Sequence, residues 1–141
     1  MRRDTLHLTL AFLGEVAAER LEALAELAGA IRIPPFEQTF DKAQCLPRKK
    51  IFWASASRVA TELRELAGAL SDRLKAADFR TEARPFAAHV TLLRHARCDR
   101  QMPPEELRLV WPVRDFVLVE SELSPEGARY RILRRWPLDQ T

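Results

Sequence analysis

Two copies of the pattern His-apolar-Thr-apolar contain two of the chain's three histidines. The first copy is His7-Leu8-Thr9-Leu10, and the second is His89-Val90-Thr91-Leu92. Side chains alternate between the two faces of a strand, so the His and the Thr of each copy point to the same side. Histidine exchanges protons near neutral pH. Two such strands at one cleft would supply two imidazoles and two hydroxyls, which is the equipment for acid–base chemistry on a phosphate.

Each motif also has a simpler interpretation. A strand His is often hydrogen-bonded within a polar patch, and Thr is common in strands because it is β-branched. The repeated offset of Thr from His favours the chemical interpretation for both copies. His95 lies outside the pattern, and we expect it in a loop. We reject a zinc site made from His7, His89 and His95, because no carboxylate or Cys accompanies them at ligand spacing. Neither a metal nor another cofactor is expected.

Length and composition predict one domain over 1–141 with a sizeable core. The net charge of +3 and the isoelectric point of about 9.2 are compatible with an anionic ligand without requiring one. Cys45 and Cys98 are far apart in sequence and have no metal or redox spacing, so no disulfide is expected. No apolar run is long enough to cross a bilayer, and the amino terminus lacks the pattern of a signal peptide. These features predict a soluble cytoplasmic protein with no membrane partner.

Hydrophobic spacing predicts strands separated by helices, with two hairpins. Such an order favours an α+β or mixed α/β domain of two similar lobes. Trp53, inside one of the strands, is expected in the core, and the basic turn before it either guides an anionic ligand or is simply solvated. The predicted strands cover 5–13, 36–46, 51–55, 89–93, 116–123 and 130–135, the predicted helices cover 16–31 and 59–77, and the basic turn covers 47–50.

Longer segments around the two motifs resemble a known family. The first runs from His7 to Gly14 as HLTLAFLG, and the second runs from Arg84 to Arg94 as RPFAAHVTLLR. Both are similar to the signature of the two-histidine (2H) phosphoesterases, and among these to the bacterial RNA 2′,3′-cyclic phosphodiesterases, historically called 2′-5′ RNA ligases. The similarity extends to the segments 116–121 and 130–138, and so covers nearly the whole chain.

The resemblance implies a bilobal α+β fold in which each lobe contributes one motif to a central cleft. It implies hydrolysis of a 2′,3′-cyclic phosphate at an RNA 3′ end to a 2′-phosphate without a metal ion. It also suggests tRNA fragments as one class of substrate and weak reverse 2′-5′ ligation as an additional activity. His7 would be the general acid and His89 the general base. Thr9 and Thr91 would bind phosphoryl oxygens. The remaining implied site residues are a phosphate-binding Arg94 and a Phe12 that stacks on the terminal base.

Alternatives remain for the less specific positions and for the function. The alternative for Arg94 is a solvated surface charge, and strand alternation from Leu10 predicts that Phe12 lies in the core. A phosphodiesterase acting on 2′-5′ linkages or small cyclic nucleotides would use the same groups, and a non-catalytic RNA-end binding protein is the rival from another class. The family usually has a strand and a helix before its first motif, whereas this chain reaches His7 almost at once. If those elements are absent, we expect an open sheet edge that favours dimerisation or strand exchange.

Overall fold

The structure is a computed structural model, which describes residues 6–82, 86–94, 98, 108–125 and 127–138. It combines antiparallel strands with two α-helices, which confirms the predicted α+β class. A short 3-10 helix over Ala18–Arg20 precedes the first α-helix. The helices are α1 (Leu21–Gly29) and α2 (Thr61–Ala76), and the strands are β1 (Phe36–Phe40), β2 (Lys42–Leu46), β3 (Ile51–Ser55), β4 (His89–Arg94), β5 (Leu109–Val113), β6 (Asp115–Ser124) and β7 (Gly127–Pro137).

The segment 36–46, predicted as one strand, is two strands that belong to different sheets. β1 pairs with β5, whereas β2 pairs with β3, and the chain passes between the two sheets at Asp41. The Asp41 carboxylate accepts a hydrogen bond from the Ser57 backbone N–H at 2.8 Å and another from the Ser57 hydroxyl. An Asp at this break therefore holds together the end of β1 and the segment that follows β3.

The sheet that carries the second histidine motif has the order β2-β3-β4 with antiparallel pairing throughout. Ser55 lies opposite His89, and Trp53 lies opposite Thr91. The register changes between Phe52 and Trp53, so one extra residue of β4 is accommodated there as a bulge. The third sheet is the long β6–β7 hairpin, which turns at Ser124–Gly127 as the turn residues predict.

The first motif does not form the regular strand predicted over 5–13. Among the described residues of that segment, only Leu8 makes a ladder contact, an isolated antiparallel bridge to Val90. The two His-Thr motifs therefore lie side by side and run in opposite directions. This single bridge joins the beginning of the chain to β4.

Two hydrophobic clusters support these elements. The larger one lies between the helices and the strands β1 and β6, and the apolar stripe of α2 predicted by its helical spacing is part of it. Helix α1 approaches β7 closely at Gly29, where an added Cβ would lie 3.2 Å from the Trp136 indole nitrogen. The smaller cluster contains Phe40, Ala54 and Val90. It lies directly beneath the second motif.

Cys45 and Cys98 form a disulfide, which contradicts the expectation from their sequence separation. Cys45 lies on β2, and Cys98 follows the last residue of β4 by four positions. The order β2-β3-β4 leaves only β3 between them, so a short crossing brings their Cα atoms to 5.7 Å. Neither described helix is long and apolar enough to cross a membrane.

Candidate active site

The four motif residues are the direct chain neighbours of the bridged pair Leu8 and Val90. If the antiparallel register of that bridge is continued by one residue in each direction, His7 is set opposite Thr91 and Thr9 opposite His89. In a regular ladder, directly opposed Cβ atoms lie about 4.5–5.5 Å apart, and diagonal neighbours are separated by roughly 7–8 Å. In that register each imidazole has a hydroxyl across from it, and the two imidazoles stand on a diagonal.

The burial of the alternating residues shows which face carries the four groups. Val90 is buried in the smaller cluster, and Leu8 packs against both clusters. Because neighbours along an extended chain point to opposite faces, the His and Thr side chains emerge on the other side. His7 and Thr9 are exposed, and His89 and Thr91 are partly buried. The structure thus brings His7, Thr9, His89 and Thr91 together on an accessible face.

His89 is oriented by its own backbone. Its Nδ1 lies 3.0 Å from the carbonyl oxygen of Ala87. A carbonyl oxygen only accepts, so this hydrogen bond requires a proton on Nδ1. In the neutral ring, Nε2 then carries the lone pair and is the atom that can accept a proton from water.

Each of the two motif histidines also packs against an aromatic ring, which the His-x-Thr spacing does not indicate. The Trp53 ring lies over His89 with a centroid separation of 4.6 Å and an interplanar angle of 40°. Trp53 is partly buried rather than a core residue as predicted. Tyr130 meets His7 in an edge-to-face arrangement at 5.3 Å. Tyr130 lies on β7, far from either motif in sequence, so motif spacing carries no signal for it.

A basic turn lies at one end of this sheet. Arg48, Lys49 and Lys50 are exposed, and none of them pairs with an acidic group within the described part of the chain. The next residue, Ile51, is opposite Arg94 in the β3–β4 ladder. Arg94 follows Thr91 by three residues, or about 10 Å along the strand. The Arg94 side chain and all of His95 lie outside the described residues.

Phe12 is not in the core, although simple alternation from Leu10 predicts that it should be. Phe12 is 62% exposed. Strand alternation does not apply to it because the described residues from Thr9 to Ala17 are not in a strand. An exposed aromatic ring a few residues after the first motif is available to a ligand.

The functional groups of the four motif residues are two imidazoles and two hydroxyls. Within the described ranges, no group of three or more His, Cys, Asp or Glu side chains is arranged to hold a metal ion. The chemistry that these groups can perform is proton transfer and hydrogen bonding to an anion.

Comparisons with known proteins identify the family of the chain. Residues 1–123 match the family model of the 2′-5′ RNA ligase superfamily. The chain is 39% identical to an RNA 2′,3′-cyclic phosphodiesterase of Escherichia coli over 97% of its own length and 78% of that relative. It is 32% identical to one of Archaeoglobus fulgidus over 93% and 78% of the respective chains. The crystal structure of E. coli LigT complexed with 3′-AMP is similar with a TM-score of 0.86 and 39% identity, over 97% of this chain and 79% of that one.

Proposed function

Because the chain belongs to the 2′-5′ RNA ligase superfamily, we propose that it hydrolyses 2′,3′-cyclic phosphates at RNA ends to 2′-phosphates. The observation that carries this proposal is the bridge between Leu8 and Val90, with an imidazole and a hydroxyl on each side of it. In-line displacement at phosphorus needs a base on the side of attack and an acid on the side of departure. Two imidazoles on a diagonal meet that requirement.

In the proposed reaction, His89 Nε2 accepts a proton from water as the water oxygen bonds to phosphorus. The bond from phosphorus to the 3′ oxygen breaks, and His7 in its protonated form donates a proton to that oxygen. The product keeps the phosphate on the 2′ oxygen and has a free 3′-hydroxyl. The Ala87 carbonyl supports the role of His89, since it holds the ring in the tautomer whose Nε2 is the acceptor. Each proton transfer typically accelerates a reaction by about 10²–10⁴-fold.

The two threonines have a different role from the histidines. The Thr9 and Thr91 hydroxyls would donate hydrogen bonds to the non-bridging oxygens, where negative charge grows during attack. Arg94 would add a positive charge at the same place, and the exposed ring of Phe12 would stack on the terminal base. Such positioning and charge stabilisation account for much of the rate in reactions of this kind.

One assay distinguishes this reaction from two alternatives, a metal-dependent hydrolysis and the binding of RNA ends without turnover. The assay incubates the purified chain with a short RNA ending in a 2′,3′-cyclic phosphate, in the presence of EDTA. Products are separated by a method that resolves 2′- from 3′-phosphate.

We expect the 2′-phosphate as the product, with the rate unchanged by EDTA. His89→Ala and His7→Ala should each lower kcat by about 10²–10⁴-fold while leaving RNA binding largely intact. His95→Ala is the matched control because it removes the histidine outside the pattern, and it should keep the wild-type rate. The rate should also have a bell-shaped dependence on pH, as expected when one group must be protonated and the other not.

Other results would overturn the proposal in recognisable ways. Activity that EDTA abolishes and zinc restores, together with an inactive His95→Ala, would establish a metal site. Tight binding of the RNA without product would make the chain an RNA-end binding protein. A His89→Ala variant with nearly the wild-type rate would refute the assignment of the base.

A further inference from the structure

Trp53 shares the face of the sheet that carries the second motif. Within β3, Ala54 is fully buried in the smaller cluster, so its neighbour Trp53 points to the opposite side. Thr91 is its partner in the ladder, and Ser55, two residues further on, is the partner of His89. Trp53 thus lies beside both second-motif residues.

The bulge at Trp53 is what produces this neighbourhood. Phe52 is opposite Leu93, and without a change of register Trp53 would be opposite Leu92, whose parity is that of the buried Val90. The extra residue in β4 instead sets Trp53 opposite Thr91. Bulges frequently re-aim a side chain beside an active site. Here the bulge brings an indole ring against the imidazole of His89.

The indole nitrogen contributes little to folding. Trp53 Nε1 is buried and meets no hydrogen-bond acceptor in the described part of the structure. Leaving a buried donor unpaired is unfavourable, because the group loses its hydrogen bonds to water and gains none in the protein. Phe would fill much of the same space without that cost. The fold therefore gains little from a Trp in particular, and the contact that distinguishes the side chain is the one with His89, at 4.6 Å between ring centroids.

The hydrogen bond from Nδ1 to Ala87 restrains one edge of the His89 ring, but it leaves the ring free to tilt about that edge. A second contact on the face of the ring removes this freedom. We propose that Trp53 is a positioning residue that fixes the plane of the His89 imidazole and so aims Nε2 at the attacking water. The proposal rests on the proposed function, because it assigns a role within the same reaction.

The test compares Trp53→Leu and Trp53→Phe in wild-type and His89→Ala backgrounds. Trp53→Leu should lower kcat by about 10- to 100-fold with little change in KM, since a displacement of about 1 Å at a catalytic group has effects of that size. Trp53→Phe retains a flat ring and should restore kcat to within about three-fold of wild type. In the His89→Ala background, Trp53→Leu should have no further effect, because the group that it positions is gone.

An NMR measurement checks the contact without relying on turnover. The ring protons of His89 should shift upfield in the wild type relative to Trp53→Leu, since they lie within the ring current of the indole. An equal loss of kcat in both backgrounds would overturn the proposal, because Trp53 would then act independently of His89. Full activity of Trp53→Leu would also overturn it. A wild-type protein without hydrolytic activity would instead refute the proposed function, and this inference with it.

Discussion

Gln38 is the one buried polar side chain among the described residues, and its replacement should cost several hydrogen bonds at once. Its Nε2 donates to the carbonyl oxygens of Thr39 and Arg58 at 2.8 and 3.0 Å. Its Oε1 accepts from the Ala60 N–H at 2.8 Å. Ala60 is the N-cap residue that immediately precedes helix α2, so a side chain of β1 holds the start of that helix.

The expected magnitude for Gln38→Met follows from these contacts. Met keeps the length of the side chain and most of its volume, so the core is not left with a cavity. The Ala60 N–H and the Arg58 carbonyl lose their partner in a partly buried place, at about 1–3 kcal/mol each. Since both are only partly buried, we expect a loss of roughly 2–4 kcal/mol in the free energy of unfolding. For a chain of this size, that corresponds to a fall in Tm of roughly 10 °C.

Urea unfolding followed by circular dichroism measures this loss, with an unchanged m value as the sign that the unfolded state is not affected. Gln44→Met is the matched control, because Gln44 is exposed on the neighbouring strand β2 and should change stability by less than about 0.5 kcal/mol. Equal stabilities of the two variants would refute the reasoning. They would show that water replaces the amide of Gln38 without cost.

Three further perturbations test other parts of the structure. Replacing Lys49 and Lys50 by Ala should reduce the slope of log kcat/KM against log salt by about 1.4 for an RNA oligonucleotide, at about 0.7 per phosphate contact. The slope for a cyclic mononucleotide should not change. An equal change of slope for both substrates would show that the turn does not contact the RNA backbone. The hydrogen bonds from Ser57 hold the pKa of Asp41 below its ordinary value of 3.8. The stabilisation by these hydrogen bonds is therefore present above pH 3.8 and is lost as the pH falls through the lower pKa of the folded state. Below pH 3.8, the urea midpoint of wild type should fall more steeply with decreasing pH than that of Asp41→Asn. Parallel curves of urea midpoint against pH for the two proteins would contradict this. Phe12→Ala should raise KM by roughly 10- to 100-fold and leave kcat unchanged, because stacking of a base on an aromatic ring contributes about 1–3 kcal/mol to binding. An unchanged KM would show that the terminal base does not stack on Phe12.

Hydrophobic periodicity was sufficient to predict those helices and strands whose signal lies within one contiguous segment. The heptad-like spacing of leucines predicts α2, and β3 lies within its predicted bounds, because both signals come from contiguous residues. The His-x-Thr spacing likewise predicts that His and Thr share a face. These predictions need no knowledge of what lies across from the element.

The sequence pattern did not predict features that depend on which other segment packs against or pairs with a residue. Trp53 alternates with Ala54, but alternation does not say which of the two faces is the core. The break at Asp41 depends on a hydrogen bond to Ser57, and the pairing of Cys45 with Cys98 depends on strand order. Each of these features depends on contacts between residues far apart in sequence, and the hydrophobic spacing within one segment cannot predict such contacts.

The antiparallel bridge between Leu8 and Val90 has a consequence for the direction of the reaction. A local two-fold axis passes through that pair and exchanges His7 with His89 and Thr9 with Thr91. Groups related in this way have no built-in forward sense, since the imidazole that accepts a proton in one direction returns it in the other. The asymmetry comes from the unlike neighbours, with the Ala87 carbonyl and Trp53 beside His89 and Tyr130 beside His7. In the proposed reaction, the direction is then decided by the nucleophile that reaches the phosphorus, and water is in large excess over any ribose hydroxyl.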